Sequence, residues 1–503
     1  MGIFKAKERL KILFVATEAA PFIKVGGLGS VLYSLPRALR ELGHDARVMI
    51  PKYLSVDERG HKLKTEIKGL KVPTGNENEP TELISNIKRF DPKDDNDPVI
   101  TYFLENQEYY EQRANVYGYA DDAVRWALLC RGALEFVRSP ENDWVPDVIV
   151  SSDWQTGLIP NLLKTTYKSD STLSKIASVF TIHNLYFQAM FDHKFVSEMD
   201  FDDGHSPIPA LNSPRFEKIN FMRRGIINAD VINTVSPNYA KEIMTKEYGE
   251  LLDDLVRERR AVLSGILNGI DYDLWNPETN RNIESNYDAN HLESRPDNKT
   301  ALQERFRLPA DKDAFVVTVV SRLTKQKGID LLFHIMETLL VELPIQLIIV
   351  GDGEAELMSF FHDLESKYPQ KVATHLKFDS VLPHIVFSGA DVILVPSRFE
   401  PCGLTQMEAM RMGTIPIVRK TGGLADSVED YNPNKETGTG FTFERFDSSS
   451  LMISLIRAFE NFRDKKKWKE LQKRAMKKDF SWVSSAKKYV ALFQQAVEIR
   501  SHY

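Results

Sequence analysis

A chain of 503 residues is long enough for two or three domains with separate cores, which excludes a single small binding module. Its 65 Lys and Arg against 71 Asp and Glu leave a formal charge of -6, so there is no global electrostatic basis for a nucleic-acid or polybasic membrane partner. With 42% hydrophobic and 27% charged residues the composition is that of a folded globular protein, and its two cysteines, Cys130 and Cys402, make neither a disulfide framework nor a Cys-rich zinc site.

The chain begins MGIFKAKERL, with charges where a signal peptide needs an apolar core, and no later stretch reaches the roughly 18 apolar residues of a membrane span. A cytoplasmic protein is expected. Residues 11–17 (KILFVAT) read as a buried strand, and 32–42 behind them carry apolar residues at helical spacing. Segments 75–97 and 202–214, rich in Asp, Asn, Pro and Glu, read as surface insertions or lids. Residues 147–151, 176–182 and 231–235 repeat the buried-strand pattern, as a parallel sheet with crossover helices requires. A turn-rich stretch places a hinge at 266–272. A second strand series follows at 314–321, 345–351, 386–388 with 392–396, and 414–418. Residues 482–503 end the chain as an amphipathic helix, with Val483, Tyr489, Leu492, Phe493, Ala496 and Val497 on its apolar side.

The loops at the strand ends carry the chemistry. Lys24, Gly26, Gly27 and Gly29 lie between the first strand and the first helix, where backbone amides and a helix N-terminus hold anions; a plain glycine turn is the alternative. The spacing is neither the dinucleotide fingerprint nor a Walker A motif. Arg322 and Lys327, after the first strand of the second series, suit a diphosphate clamp or a solvated basic loop. Glu400-Pro-Cys402-Gly403-Leu404-Thr405 precedes a helix expected to start near Thr405, with Glu408 as a second carboxylate on it. Thr421-Gly422-Gly423 repeats the glycine device after the next strand. In the first half, Asp153, Trp154, His183 and Asn184 occupy strand ends. No HExxH, GxSxG or metal-spaced cluster supports a metallohydrolase or serine hydrolase.

Taken together these segments resemble the glycogen and starch synthase family over nearly the whole chain, the SRFEPCGLTQ and TGGLAD runs being the most specific. The resemblance implies an α/β protein of GT-B fold, with two facing Rossmann-like domains and a deep interdomain cleft. It places an acceptor-side domain at 1–268, with a C-terminal helix at 485–503 packing back on it, and a nucleotide-sugar-binding domain at 269–484. The implied activity is that of a retaining hexosyltransferase moving glucose from ADP-glucose, with UDP-glucose possible, to the non-reducing end of an α-1,4-glucan. No metal or other cofactor is implied, and the expected partners are the nucleotide-sugar donor and the glucan.

Carried over by position, Lys24, Arg322 and Lys327 resemble the diphosphate ligands, Glu400 the essential carboxylate beside the transferred glucose, and His183 the histidine that contacts the sugar. Phe378 falls where the family places an aromatic ring on the nucleobase. Gly26, Gly27, Cys402, Gly403, Leu404, Thr405, Glu408, Thr421, Gly422 and Gly423 complete the implied donor set. Asp153, Trp154, Asn184 and Gln188 form the implied acceptor side. Ser30, Ser152, Gln155 and Ala189 depart from the family pattern on that side. They leave two alternatives open: a glucosyltransferase with a small or non-glucan acceptor, and a non-catalytic glucan-binding homologue.

Overall fold

The computed structural model describes residues 9–58, 60–94, 97–188 and 202–502; the first eight residues and Ala189 fall outside them. The chain divides into two compact units. Unit 1 takes the residues up to Val235, Ala240–Ile266 and everything from Trp482; unit 2 takes Leu267–Ser481 and the short piece Ser236–Tyr239.

The sheet of unit 1 contains β1 (Lys11–Val15), β2 (Asp45–Pro51), β3 (Lys64–Pro73), β4 (Glu82–Phe90), β5 (Thr101–Glu105), β6 (Val148–Ser152), β7 (Ala177–Ile182), β8 (Val231–Thr234) and β9 (Leu263–Gly265). Their spatial order is β3-β4-β5-β2-β1-β6-β7-β8-β9. Only β3 and β4 break the parallel run, pairing antiparallel with each other and, through β4, with β5. β1, β6 and β7 are buried almost end to end because helices cover both faces, which is why they read as continuous apolar runs.

Unit 2 holds β10 (Phe315–Val320), β11 (Ile345–Val350), β12 (Val372–His375), β13 (Val392–Val395), β14 (Ile415–Arg419) and β15 (Phe441–Phe443). They are parallel throughout and ordered β12-β11-β10-β13-β14-β15. This is the doubly wound order, in which the chain leaves the middle of the sheet in both directions. Unit 1 shows the same reversal between β1 and β6.

Two expectations are corrected. Residues 386–388 are not strand; they lie in the helix Leu382–Gly389, opened by Pro383 and buried against the helix Arg295–Arg305. At its end a Cβ on Gly389 would meet the Asn298 carbonyl at 2.6 Å, so close packing of two helices, invisible in a short apolar run, decides the conformation. The segment 75–97 is no simple surface insertion either, since β4 runs through its middle. That strand is only half buried, with Ser85, Ile87 and Phe90 turned inward, and its polar outer residues mask the alternation. Residues 202–214 form neither helix nor strand, with Leu211 buried.

The last helix, Trp482–Ser501, packs on the helix Gly27–Glu41 and on β6, β7 and β8. Val483 and Val497 are only half buried, while Trp482, Ala486, Tyr489, Leu492, Phe493 and Ala496 form the inner stripe. The Tyr489 hydroxyl accepts a hydrogen bond from Asn233 Nδ2 (3.1 Å), and the Phe493 ring meets Phe14 edge-on at 6.2 Å. Phe493 is fully buried, so Phe493→Ala is expected to cost about 3 to 5 kcal/mol in denaturant unfolding. A cost under about 1 kcal/mol would contradict this packing.

Candidate functional site

Open α/β sheets bind ligands beyond the carboxyl ends of the strands where the order reverses. In unit 1 that point lies after β1 and β6. After β1 the chain reaches Glu18, a buried carboxylate whose Oε2 accepts hydrogen bonds from the amides of Val25 and Gly26 (3.0 Å for Gly26), while Tyr117 donates to Oε1 at 3.4 Å. The glycine loop thus holds an anion supplied by the chain itself. Gly29 has no room for a side chain, because its Cβ would meet Glu18 Oε2 at 3.0 Å and the Lys24 backbone at 3.2 Å. The Lys24 side chain, Gly26 and Gly27 are left exposed at the start of the helix Gly27–Glu41.

After β6, Asp153 adopts φ 57°, a left-handed conformation costly for a non-glycine residue. That turn aims its carboxylate across to β7, where Oδ1 accepts the amides of His183 (2.7 Å) and Asn184 (3.3 Å). Burial pushes the Asp153 carboxyl up to about 7, with the two amides pulling the other way. Burial also lowers the His183 imidazole to about 4, partly offset by the charge of Glu18. A neutral His183 gives or takes a hydrogen bond but carries no proton to a substrate near neutral pH. Ser30 and Gln155 are half buried here and Ser152 is buried.

Two acceptor-side expectations fall on residues turned into the protein. Trp154 is buried with its ring edge-on to Phe221 at 6.2 Å. Gln188 is buried with both ends of its amide engaged, donating to the Glu250 carbonyl (2.5 Å) and accepting from Asn220 Nδ2 (2.9 Å). Asn184 is half buried, and its Oδ1 accepts the Tyr186 amide at 3.1 Å.

In unit 2 the reversal lies between β10 and β13, and the loops after them carry Lys327 and Glu400. Glu400, 7% exposed, receives Lys327 Nζ at 2.6 Å and Ser397 Oγ at 2.9 Å, both on Oε2. The other carboxylate oxygen takes no part in this pair of contacts. Lys327 reaches Glu400 because Gly328 turns at φ +68°, and a Cβ on Gly328 would lie 2.0 Å from the Pro396 carbonyl. Glycine is required again where Gly422, at φ +44°, presses on the Glu400 carbonyl, a Cβ there coming within 1.9 Å of it. The Gly423 amide donates to the Glu400 and Pro401 carbonyls (3.0 and 3.1 Å) and so braces the Glu400 turn, while the Thr421 amide donates to the Arg419 carbonyl (2.9 Å) at the end of β14.

Gly403, Leu404 and Thr405 open the helix Thr405–Arg411, with Glu408 half buried in its first turn. Cys402 is buried, which pushes its thiol up to about 12. Arg322 is exposed at the end of β10 and lines a cavity of about 620 Å³ with Thr324, Asp352, Gly353, Met358 and Lys377. The Glu354 carboxylate accepts the Lys325 amide at 3.0 Å and ties the turn after β11 to the loop after β10. Phe378 lies one residue beyond the cavity wall with 79% of its surface exposed, a ring with a free face.

The structure therefore gathers Lys327 and Glu400, adds Ser397, and sets Arg322 on the same sheet edge. Sequence pattern alone does not mark Ser397, Glu18 or Tyr117 as site residues. The signal for Ser397 was present, a hydroxyl three residues before a carboxylate at a strand end, but serine is too common in turns to be read alone. Among the described residues no group of three His, Cys, Asp or Glu is placed to hold a metal ion.

Because burial holds its imidazole near 4, His183 should stay neutral in an NMR titration from pH 8 down to about 5. A midpoint at the ordinary value of 6.5 would contradict the burial that the structure gives it.

Comparison with known proteins agrees with this architecture. Residues 11–258 match the starch synthase catalytic domain family and residues 301–477 the glycosyl transferases group 1 family. The chain is 42% identical over 493 residues to a glycogen synthase of Thermotoga petrophila, covering 97% of this chain and 99% of that protein. It is 40% identical over 487 residues to a glycogen synthase of Anoxybacillus flavithermus, covering 97% and 98%. Among solved structures, the catalytic domain of starch synthase IV from Arabidopsis thaliana, bound to ADP and acarbose, matches with a TM-score of 0.82 at 31% identity, covering 97% of this chain and 99% of that one. With its two Rossmann-like units, this chain belongs to the glycogen and starch synthase family, glycosyltransferases of GT-B fold.

Proposed function

We propose that the protein transfers glucose from ADP-glucose to the non-reducing end of an α-1,4-glucan with retention at the anomeric carbon. The observation that carries this reading is the Glu400, Lys327 and Ser397 cluster at the strand-order reversal of unit 2, in a chain of this family. In the reaction the bond from the anomeric carbon to the diphosphate breaks, and the new glycosidic bond forms on the same face of the sugar. Negative charge grows on the departing ADP. Lys327 and Arg322 supply fixed positive charge for it, worth most where water is excluded. Lys24, exposed at its helix start, is proposed to bind the same diphosphate, with Gly26 and Gly27 next to it. Glu400 faces the transferred glucose, and the amides of Gly403 to Thr405 hold its hydroxyls. Neutral His183 donates or accepts one hydrogen bond to the sugar.

We assign the acceptor side to residues 1–268 with the helix from 485 onward, and donor binding to residues 269–484. The cavity beside Arg322 then takes the nucleoside, and Phe378 closes on the base by stacking. Both cysteines are free and buried, which fits a reducing compartment, and we place the protein in the cytoplasm.

The test is incubation with labelled ADP-glucose and glycogen, a maltooligosaccharide or no acceptor. Label is expected in glucan that an α-1,4-specific amylase releases; label only in a small non-glucan product, or in none, would overturn the reading. Stacking on an aromatic ring contributes about 1 to 3 kcal/mol and favours the larger face of a purine, so kcat/KM should be higher for ADP-glucose than for UDP-glucose. The preference should shrink in Phe378→Ala. Equal use of UDP-glucose by the intact protein would contradict the donor assignment, and an unchanged preference in the variant would remove Phe378 from it.

A further inference from the structure

A second cavity of about 490 Å³ belongs wholly to unit 2 and shares no residue with the one beside Arg322. Its walls include Tyr272, Glu278, Asp288, Asn290, Arg411 and Lys477, and none of the roles above uses them. Arg411 closes the helix Thr405–Arg411, so it stands at the opposite end from the Gly403 to Thr405 amides, roughly 9 Å away along the axis. Lys477 closes the helix Lys465–Lys477. Tyr272 joins the two ends. Its hydroxyl donates to the Lys478 carbonyl (3.2 Å) and accepts the Phe480 amide (2.9 Å), and its ring carries the Arg411 guanidinium 4.5 Å from the centroid.

A cation in the last turn of a helix ordinarily bonds the free carbonyls there. Arg411 does not. Half buried, it makes no hydrogen bond or ion pair with any described residue, and its Nε is shut off from solvent without a partner. The carboxylates in the same wall are occupied or exposed. Asp288 accepts the amides of Asn290 (2.5 Å) and His291 (2.9 Å) and pairs with His291 Nδ1 (2.9 Å), Asp479 accepts the Ser481 amide (2.8 Å), and Glu278 is exposed. A guanidinium held on an aromatic ring and left unpaired is a cation oriented in advance for an anion.

The rest of the wall selects the anion. Arg411 and Lys477 bring two positive charges against the three carboxylates of Glu278, Asp288 and Asp479, so a polyphosphate meets repulsion and a simple cation meets Arg411. A phosphate monoester of a polyol suits both signs: its phosphate takes the planar fork of Arg411 and the ammonium of Lys477, and its hydroxyls donate to Glu278 and Asn290. We propose that this cavity is a binding site for a small polyol or sugar phosphate, separate from the donor site, with Arg411 as the residue that recognises the phosphate.

The experiment is titration calorimetry of the full-length protein with sorbitol 6-phosphate, sorbitol or inorganic phosphate, in excess ADP so that binding at Arg322 and Lys327 does not contribute. Sorbitol 6-phosphate is expected to bind at least about tenfold more tightly than either of the other two. Arg411→Met should weaken it at least about tenfold, and Arg411→Lys, which keeps the charge and loses the fork, should fall between. Lys477→Ala should weaken it about threefold or more, and Glu278→Ala should narrow the gap between the ester and inorganic phosphate. Should Arg411→Met melt early, Lys477→Ala decides, because its side chain is exposed and its loss leaves the fold intact. No binding of the ester up to about 10 mM, or one affinity shared by the parent, Arg411→Met and Lys477→Ala, would overturn the site. Inorganic phosphate binding as tightly as the ester would mean an adventitious ion only and would overturn the ligand assignment.

Discussion

Glu400 is an acid almost wholly withdrawn from water, and an ionised carboxylate is held there only if paired and hydrogen-bonded. Lys327 and Ser397 do both on a single oxygen. Much of the loop architecture of unit 2 serves that arrangement. Gly328 turns Lys327 inward, Gly422 and Gly423 let the following turn press against the carbonyls of residues 400 to 402, and the Glu354 carboxylate braces the loop before Lys327. Removing Lys327 would leave an uncompensated buried charge, a loss of about 3 to 5 kcal/mol by analogy with other broken buried pairs.

Unit 1 also buries a carboxylate in the corresponding topological place, but holds it with backbone amides instead of a cation. There the strand-order reversal carries a buried carboxylate, Glu18, that satisfies the glycine-loop amides from inside. A loop that reads as an anion site therefore already contains its anion, and what it offers outward is the Lys24 side chain and the first amides of a helix. Asp153 plays a related part, holding a strained turn so that its carboxylate can organise the amides at the end of β7. The shared logic is that charged groups reach function by being built into backbone turns, which restricts the conformations they sample and prepays the cost of ordering them.

The strands that flank both reversal points are legible in the sequence because parallel strands buried on two faces leave unbroken apolar runs, as in residues 11–17 and 392–396. β3 and β4 are not, because half-exposed antiparallel strands with polar outer residues lose that signature, and residues 386–388 resemble a strand but are helical because helix packing sets their conformation. Lys327 and Glu400 could each be singled out from strand-end position and charge, but not their contact with each other. The inward orientation of Trp154 and Gln188 could not, since it is fixed by partners far along the chain, Phe221 for one and Glu250 and Asn220 for the other. Nor could the sequence show that the amides of Thr421 and Gly423 are engaged with the protein's own carbonyls.

The most direct measurement takes Glu400→Ala and records, side by side, glucose transfer from labelled ADP-glucose and calorimetric binding of ADP. If Glu400 serves the transferred sugar while Lys327 serves the diphosphate, transfer falls by at least about a hundredfold. ADP binding is then retained or tightened, because Lys327 is no longer neutralised by its partner. Near-normal transfer by Glu400→Ala would contradict the account at its centre.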